Sequence, residues 1–315
     1  MAEAEALVAD DVRKRYGDAV ALDGVSLSVP TGEVFGLVGP NGAGKTTLVR
    51  ALTGTTRCEG TVRVLGVPPA DVDDARVGLL PQSFHPADRL TARELIAYYA
   101  GLYDEARAVE AVLDDVGLAD DADTWYEHLS GGQRRRACVG TALVNDPDVL
   151  FLDEPTTGID PTGRRSLWAL IDDLAAGGTT VLLTSHSMAE VERLADRVGL
   201  LREGRLVAVG APEELIATHG GDSHLLVDAG PGADPAALSA ALDAEVTERD
   251  DRLVVRDVAL ADVGDVVATL EAEGVDIGSF TWSEPDLEEV YLRLTGEPLD
   301  SSAAASVPAD EEGAR

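Results

Sequence analysis

The sequence predicts an α/β chain: a mainly parallel sheet with helices on its faces, an antiparallel β segment ahead of it, and a small α+β domain behind it. Three observations predict this. The apolar run Val34-Phe35-Gly36-Leu37-Val38 ends at a glycine loop and leads into a helix-like stretch at 45–53. Two more apolar runs, 149–152 and 180–183, flank a helical segment at 162–175, and strands that alternate with helices imply a parallel sheet. After Gly220-Gly221-Asp222 a second series of short strands and helices begins.

Taken in order, residues 7–35 alternate short apolar runs with turn residues and read as short antiparallel strands. Gly54, Gly60 and Gly66 punctuate a further strand at 61–65. From Leu90 to Leu118 the pattern turns helical. Thr91 is placed to cap one helix, with Glu94 three residues on, and Leu95, Tyr98, Tyr99 and Leu102 share its face. A second helix is expected near 104–116, and a third at 133–143. Beyond Gly221 the expected order is strand 224–228, helix 234–243, strands within 246–256, helix 259–273, strand 277–282 and helix 286–295. Residues 298–315, rich in Ala, Ser, Pro and acid, read as a disordered tail.

Composition narrows the function. The chain has 315 residues, 45% hydrophobic, enough for two modest domains. No run of about 18 apolar residues occurs, so no transmembrane helix is expected. The acidic start, residues 1–10, lacks the pattern of a signal peptide. Cys58 and Cys138 form no CxxC, which fits a reducing cytoplasm. Asp+Glu number 58 against Lys+Arg 25, a formal net charge of −33. Such a surface argues against nucleic acid as a partner, because phosphate contacts need Lys and Arg. It also repels itself at low salt, and molar salt screens that repulsion within about 3 Å. A salt-rich cytoplasm of the halophile kind is therefore expected.

Two segments are built for phosphate. Gly39-Pro40-Asn41-Gly42-Ala43-Gly44-Lys45-Thr46-Thr47 contains G-x-x-x-x-G-K-[ST] in full, between a strand and a helix. Its glycines let backbone N–H groups wrap phosphates, Lys45 pairs with β/γ oxygens and Thr46 is placed for Mg²⁺. One of only two lysines in the chain, Lys14 and Lys45, is kept here. Leu129-Ser130-Gly131-Gly132-Gln133 opens a second helix with free N–H groups and a positive dipole end. Around these lie chemistry-bearing side chains at strand ends, where ligands bind in open α/β folds. Asp153 fits a Mg²⁺ ligand and Glu154 a base polarising the attacking water. His186, after the run 181–185, is placed to reach a γ-phosphate, and Gln82 to hydrogen-bond the metal or the attacking water. Tyr16, ahead of Gly17, offers an aromatic face for adenine.

Over residues 6–220 this set resembles the nucleotide-binding subunits of ABC transporters, with every family element in order. Tyr16 stands at the aromatic A-loop, 39–46 at Walker A, Gln82 at the Q-loop and 129–133 at the signature. Residues 149–153 match Walker B, Glu154 the catalytic glutamate, 158–161 the D-loop with Asp160, and His186 the switch histidine. Ile159 departs mildly from the usual Leu and leaves Asp160 intact. The resemblance implies a P-loop NTPase core over 1–220, with a helical subdomain about 84–140, and an accessory domain at 221–297. It implies ATP and Mg²⁺ bound between two copies, or a copy and a homologous ATPase subunit, paired head to tail with the signature used in trans. It also implies separately encoded integral-membrane permease subunits at the cytoplasmic face of the cell membrane. Residues 83–90, after Gln82, are the expected contact with them. Leu90-Thr91-Ala92-Arg93-Glu94 with Gly101-Leu102-Tyr103, and 284–296, are similar to the type-2 exporter branch.

A soluble, non-transport ATPase of the assembly-factor type is the alternative class. Tandem translation factors and chromosome-maintenance types are disfavoured by the single cassette and by the lack of a long heptad insertion. Intact Glu154 and His186 disfavour a regulator without turnover. The charge leads to one expectation in solution: dialysis from molar salt into dilute buffer unfolds or associates the chain, read by circular dichroism and light scattering. A folded, monodisperse protein in dilute buffer contradicts it.

Overall fold

The computed structural model describes residues 4–229, 233–249 and 252–299. The expected disordered tail, apart from Pro298 and Leu299, lies outside them. Residues up to Pro212, with Pro298 and Leu299, make one compact unit, and Glu213–Glu297 make another. The division thus falls ahead of the Gly220-Gly221-Asp222 break, because the turn Ile216–Gly220 packs against a helix of the second unit, Leu287–Thr295.

The first unit holds two sheets. β1 (Glu5–Tyr16) pairs antiparallel with β2 (Ala19–Pro30) and β4 (Glu59–Val64). The short strands read from the sequence are really two twelve-residue strands. Register shifts between Ala9 and Arg13 break the period-2 alternation on which the reading relied. The second sheet has the order β5-β6-β7-β3-β8-β9. β3 (Val34–Val38), β5 (Val77–Leu80), β6 (Val149–Asp153), β7 (Thr180–Ser185) and β8 (Arg197–Arg202) run parallel, and β9 (Arg205–Gly210) closes the edge antiparallel. Every residue of β3, β6 and β7 is buried, as expected for strands covered on both faces.

Helix α1 (Lys45–Leu52) lies between the two sheets. It buries Leu48, Val49, Ala51 and Leu52 against Leu7, Leu22 and Val25 on one side and Phe35 and Phe151 on the other. Each fully buried Leu or Phe contributes roughly 1.5–3 kcal/mol, so the antiparallel sheet is held to the core through α1. α2 (Ala92–Ala100), α3 (Val109–Asp115) and α4 (Gly131–Thr141) pack on one another through Leu95, Ile96, Val112, Leu113 and Val139. The Thr91–Glu94 capping box opens α2 as expected. α3 is shorter than the 104–116 stretch and starts without a side-chain cap. α5 (Pro161–Ala176) and α6 (Met188–Leu194) follow β6 and β7, and the one-turn α7 (Pro212–Leu215) spans the division between units.

The second unit is an antiparallel sheet ordered β11-β12-β10-β13, from β10 (His224–Ala229), β11 (Val246–Arg249), β12 (Arg252–Arg256) and β13 (Ile277–Ser283). Helices α8 (Pro235–Leu242) and α9 (Val263–Ala272) cover its core of Leu225, Val227, Leu238, Val255 and Leu270, and α10 (Leu287–Thr295) packs on the Ile216–Gly220 turn.

Candidate nucleotide site

The carboxyl ends of β3, β6 and β7 deliver the functional side chains. The loop after β3 carries Gly42 and Gly44 in the left-handed region, with φ of 83° and 110°. A Cβ on Gly44 would strike the Ala21 carbonyl, so the loop can close over α1 only with glycine there. Gly44 caps α1 without a side-chain hydrogen bond, which leaves the first N–H groups of α1 for a ligand.

Lys45 is 5% exposed, and its Nζ donates to the carbonyls of Gly39 (2.6 Å) and Pro40 (3.3 Å). The same ammonium lies 3.7 Å from Glu154 Oε1. Burial pushes it below the ordinary lysine range, against the pull of the Glu154 and Asp153 carboxylates. Asp153 and Glu154 are themselves buried. The Thr184 hydroxyl donates to Asp153 Oδ1, and its oxygen accepts the Glu154 N–H at 3.0 Å. Glu154 has φ 49°, a left-handed backbone rare for a residue with a side chain. Its Oε2 accepts from Gln82 Nε2 (3.1 Å) and the Thr157 hydroxyl (3.3 Å), and lies 3.8 Å from His186 Nδ1. One carboxylate therefore gathers the lysine of one loop, the glutamine of a second and the histidine of a third.

A cavity of about 650 Å³ opens in front of them. Tyr16, Pro40, Asn41, Gly42, Ala43, Gly44, Lys45, Thr46, Thr47, Gln82 and Glu154 line it, joined by Ala19–Ala21 and Arg50. Lys14 Nζ lies over the Tyr16 ring, 4.8 Å from its centroid, outside the lining of this cavity. Gly39, Asp153 and His186 border the cavity without lining it.

The Leu129–Gln133 segment is not part of that cavity. Ser130 caps α4 in a reciprocal box: its hydroxyl accepts the Gln133 N–H (3.2 Å), and Gln133 Oε1 accepts the Ser130 N–H (2.8 Å). Gly132 packs closely under the loop 158–160, where an added Cβ would lie 3.3 Å from both Asp160 Oδ2 and Ile159 Cγ2. Asp160 caps α5 by accepting from Gly163 and Thr162, and these bonds hold its carboxyl below the usual range. Among the described residues, α1 and α4 are the two α-helices with no Asp or Glu at the N-cap or in the first turn. In a chain of 58 acids, those two helices carry none at the cap or in the first turn, and the carboxylates near them, Glu154 by Lys45 and Asp121 on Gln133 Nε2 (2.6 Å), come from other elements.

Comparison with known proteins gives the family. A family model described as ABC transporter matches residues 22–157. Daunorubicin resistance ATP-binding protein DrrA3 of Streptomyces coeruleorubidus is 40% identical over 314 residues, covering 95% of this chain and 99% of that protein. The chain belongs to the ATP-binding subunits of ABC transporters. It is an ATPase of that family and binds ATP. Nod factor export ATP-binding protein I of Paraburkholderia xenovorans (strain LB400) is 40% identical over 299 residues, covering 92% of this chain and 97% of that protein. A nucleotide-free ATP-binding cassette from an ABC transporter superposes with a TM-score of 0.61 at 27% identity, covering 68% of this chain and 94% of that one.

Seen as an ABC cassette, the molecule shows residues that the sequence did not point to. Thr184 fastens Walker B to β7, and Arg135 reaches from α4 to the backbone behind Glu154. Glu190, 2% exposed, accepts from Ser185 (2.6 Å) and Trp168 Nε1 (3.1 Å), while Ser185 Oγ accepts the Ser187 N–H. The serines on either side of His186 are thereby fastened. Thr184 and Arg135 act on backbone or side chains distant in sequence, and Glu190 joins nearby Ser185 to distant Trp168.

Lys45→Met keeps the buried aliphatic stem and removes the charge. A hydrogen bond to a charged group is worth about 1.5–3 kcal/mol, so ATP affinity is expected to fall roughly 10- to 100-fold in a calorimetric titration. Unchanged affinity contradicts the placement of the triphosphate over Lys45.

Proposed function

We propose that this chain is the ATP-hydrolysing motor subunit of an exporter-type ABC transporter. Two copies, or one copy and a homologous ATPase subunit, close head to tail on ATP and drive separately encoded integral-membrane permease subunits at the cytoplasmic face of the cell membrane. The observation that carries the pairing is the α4 N-terminus: a Ser-capped helix end with no Asp or Glu at its cap or in its first turn, outside the chain's own nucleotide cavity. Its natural ligand is the phosphate held by a partner's loop.

In this reading adenine stacks on Tyr16, and the triphosphate lies along 39–47 with Lys45 on the β/γ oxygens. Glu154 accepts a proton from the attacking water, helped by Gln82, and His186 steadies the γ-phosphate. Lys45, Gln82 and His186 lie 3.1–3.8 Å from the Glu154 carboxylate, which suits this division of labour. Thr46, Gln82 and Asp153 form an all-oxygen donor set that fits Mg²⁺. Among the described residues no cluster of three or more His, Cys, Asp or Glu could hold a metal alone, as suits an ion that takes part of its shell from substrate phosphates. Bound there, the ion would neutralise charge on the phosphates. Asp160, beside Gly132, is positioned for the dimer seam.

Export is supported by the names of the full-length relatives, one in daunorubicin resistance and one in Nod factor export. No helix among the described residues is long and apolar enough to cross a membrane, so transport calls for permease subunits. Residues 83–90 are our choice for their contact. There Phe84 packs edge-on against Tyr99, beside Tyr98 and Leu102, 62% and 63% exposed. The strong negative charge supports work in a salt-rich cytoplasm.

Two substitutions test the pairing. Glu154→Gln is expected to abolish hydrolysis nearly completely and to give an ATP-stabilised dimer by light scattering. Ser130→Asp retains a good N-cap but sets a negative charge before the partner's phosphate. It should leave thermal stability and ATP binding to the single subunit unchanged while removing hydrolysis. Equal loss of binding and hydrolysis sinks the trans assignment.

A further inference from the structure

Arg134, Arg135 and Arg136 follow the Ser130–Gln133 cap on α4, and their side chains go to three different places. Arg134 donates to the carbonyls of Leu129 (2.9 Å) and Glu127 (2.6 Å), behind the signature. Arg136 donates to Val116 and Gly117, both at 3.1 Å, at the end of α3. Arg135 crosses to the catalytic strand, where Nε donates to the Pro155 carbonyl and Nη2 to those of Asp153 and Glu154, all at 2.9 Å. These are three consecutive carbonyls at the exit of β6.

The middle residue of that run is Glu154, whose left-handed backbone is strained and persists only where its surroundings impose it. Thr184 holds the N–H side of Glu154 and Arg135 holds the carbonyl side. With both flanking peptides fixed, the carboxylate is aimed at Lys45, Gln82 and His186. A planar guanidinium can serve three carbonyls at once, whereas an ammonium on a flexible stem is a point donor. Arg135 is also only two residues from Gln133, so one rigid helical turn joins the phosphate-binding end of α4 to the backbone of the base.

We infer that Arg135 is a positioning residue for hydrolysis: it sets the backbone of Glu154 from α4, and so links the signature end to the chain's own carboxylate. The inference rests on the proposed role of Glu154 as the base. It gives Arg135 no contact with nucleotide. Removing it should therefore lower kcat and leave affinity in place, since an approximately 1 Å misplacement of a reacting group costs about 100-fold in rate.

The test compares Arg135→Met, Arg135→Lys and the control Arg136→Met in the full chain. ATP affinity is read with a fluorescent nucleotide, hydrolysis by phosphate release and dimerisation by light scattering with ATP. Arg135→Met is expected to keep affinity within twofold and ATP-dependent dimerisation intact, with kcat down about 100-fold. Arg135→Lys restores charge but not the fork, and should remain about tenfold below wild type. Arg136→Met should hydrolyse at near wild-type kcat. If Arg135→Met does not fold, Arg135→Lys carries the comparison alone. Wild-type kcat in Arg135→Lys, or an affinity loss in Arg135→Met that matches its rate loss, overturns the inference. Undiminished hydrolysis in Glu154→Gln overturns the parent reading instead, so the two failures are distinct.

Discussion

Everything at this site depends on three buried charges at the carboxyl end of one parallel sheet. Lys45, Asp153 and Glu154 are each almost withdrawn from water. Burying charge is costly unless partners compensate, and here compensation comes from carbonyls, Thr184 and the Lys45–Glu154 contact. The arrangement needs β3, β6 and β7 side by side, so that Lys45 meets carboxylates from the end of β6, more than a hundred residues away. The apolar strands and the packing of α1 between two sheets are what fix that juxtaposition.

The same logic explains the distribution of acids. A protein of net charge −33 offers few surfaces that attract phosphate. Here, among the described helices, the N-termini of α1 and α4 are spared carboxylates at cap and first turn. The first faces its own cavity. The second carries a Ser cap and lies outside it, tied to the catalytic strand by Arg135. In the proposed pairing a second copy would use both ends at once, with α4 and the 158–160 loop over Gly132 at the seam.

Much of this was legible in the chain. The strand–glycine loop–helix unit, the capped start at Thr91 and the carboxylates closing β6 follow from local pattern. The pairing of Gln82, Lys45, Glu154 and His186 does not, because it joins four loops. Resemblance to a known cassette brought them together before geometry did. The stretch 188–210 holds α6, β8 and β9, none of which is assigned from the sequence; β8 is buried and β9 is an edge strand of mixed exposure. Arg135 and Glu190 were silent because their partners are backbone carbonyls and neighbours that only the fold supplies.

Specific ATPase activity across a dilution series, at saturating ATP and fixed high salt, tests the shared site most directly. A site completed by a partner requires activity per subunit to rise with protein concentration and then level off at the dimer. Activity per subunit that stays constant down to concentrations where light scattering finds only monomer contradicts the account.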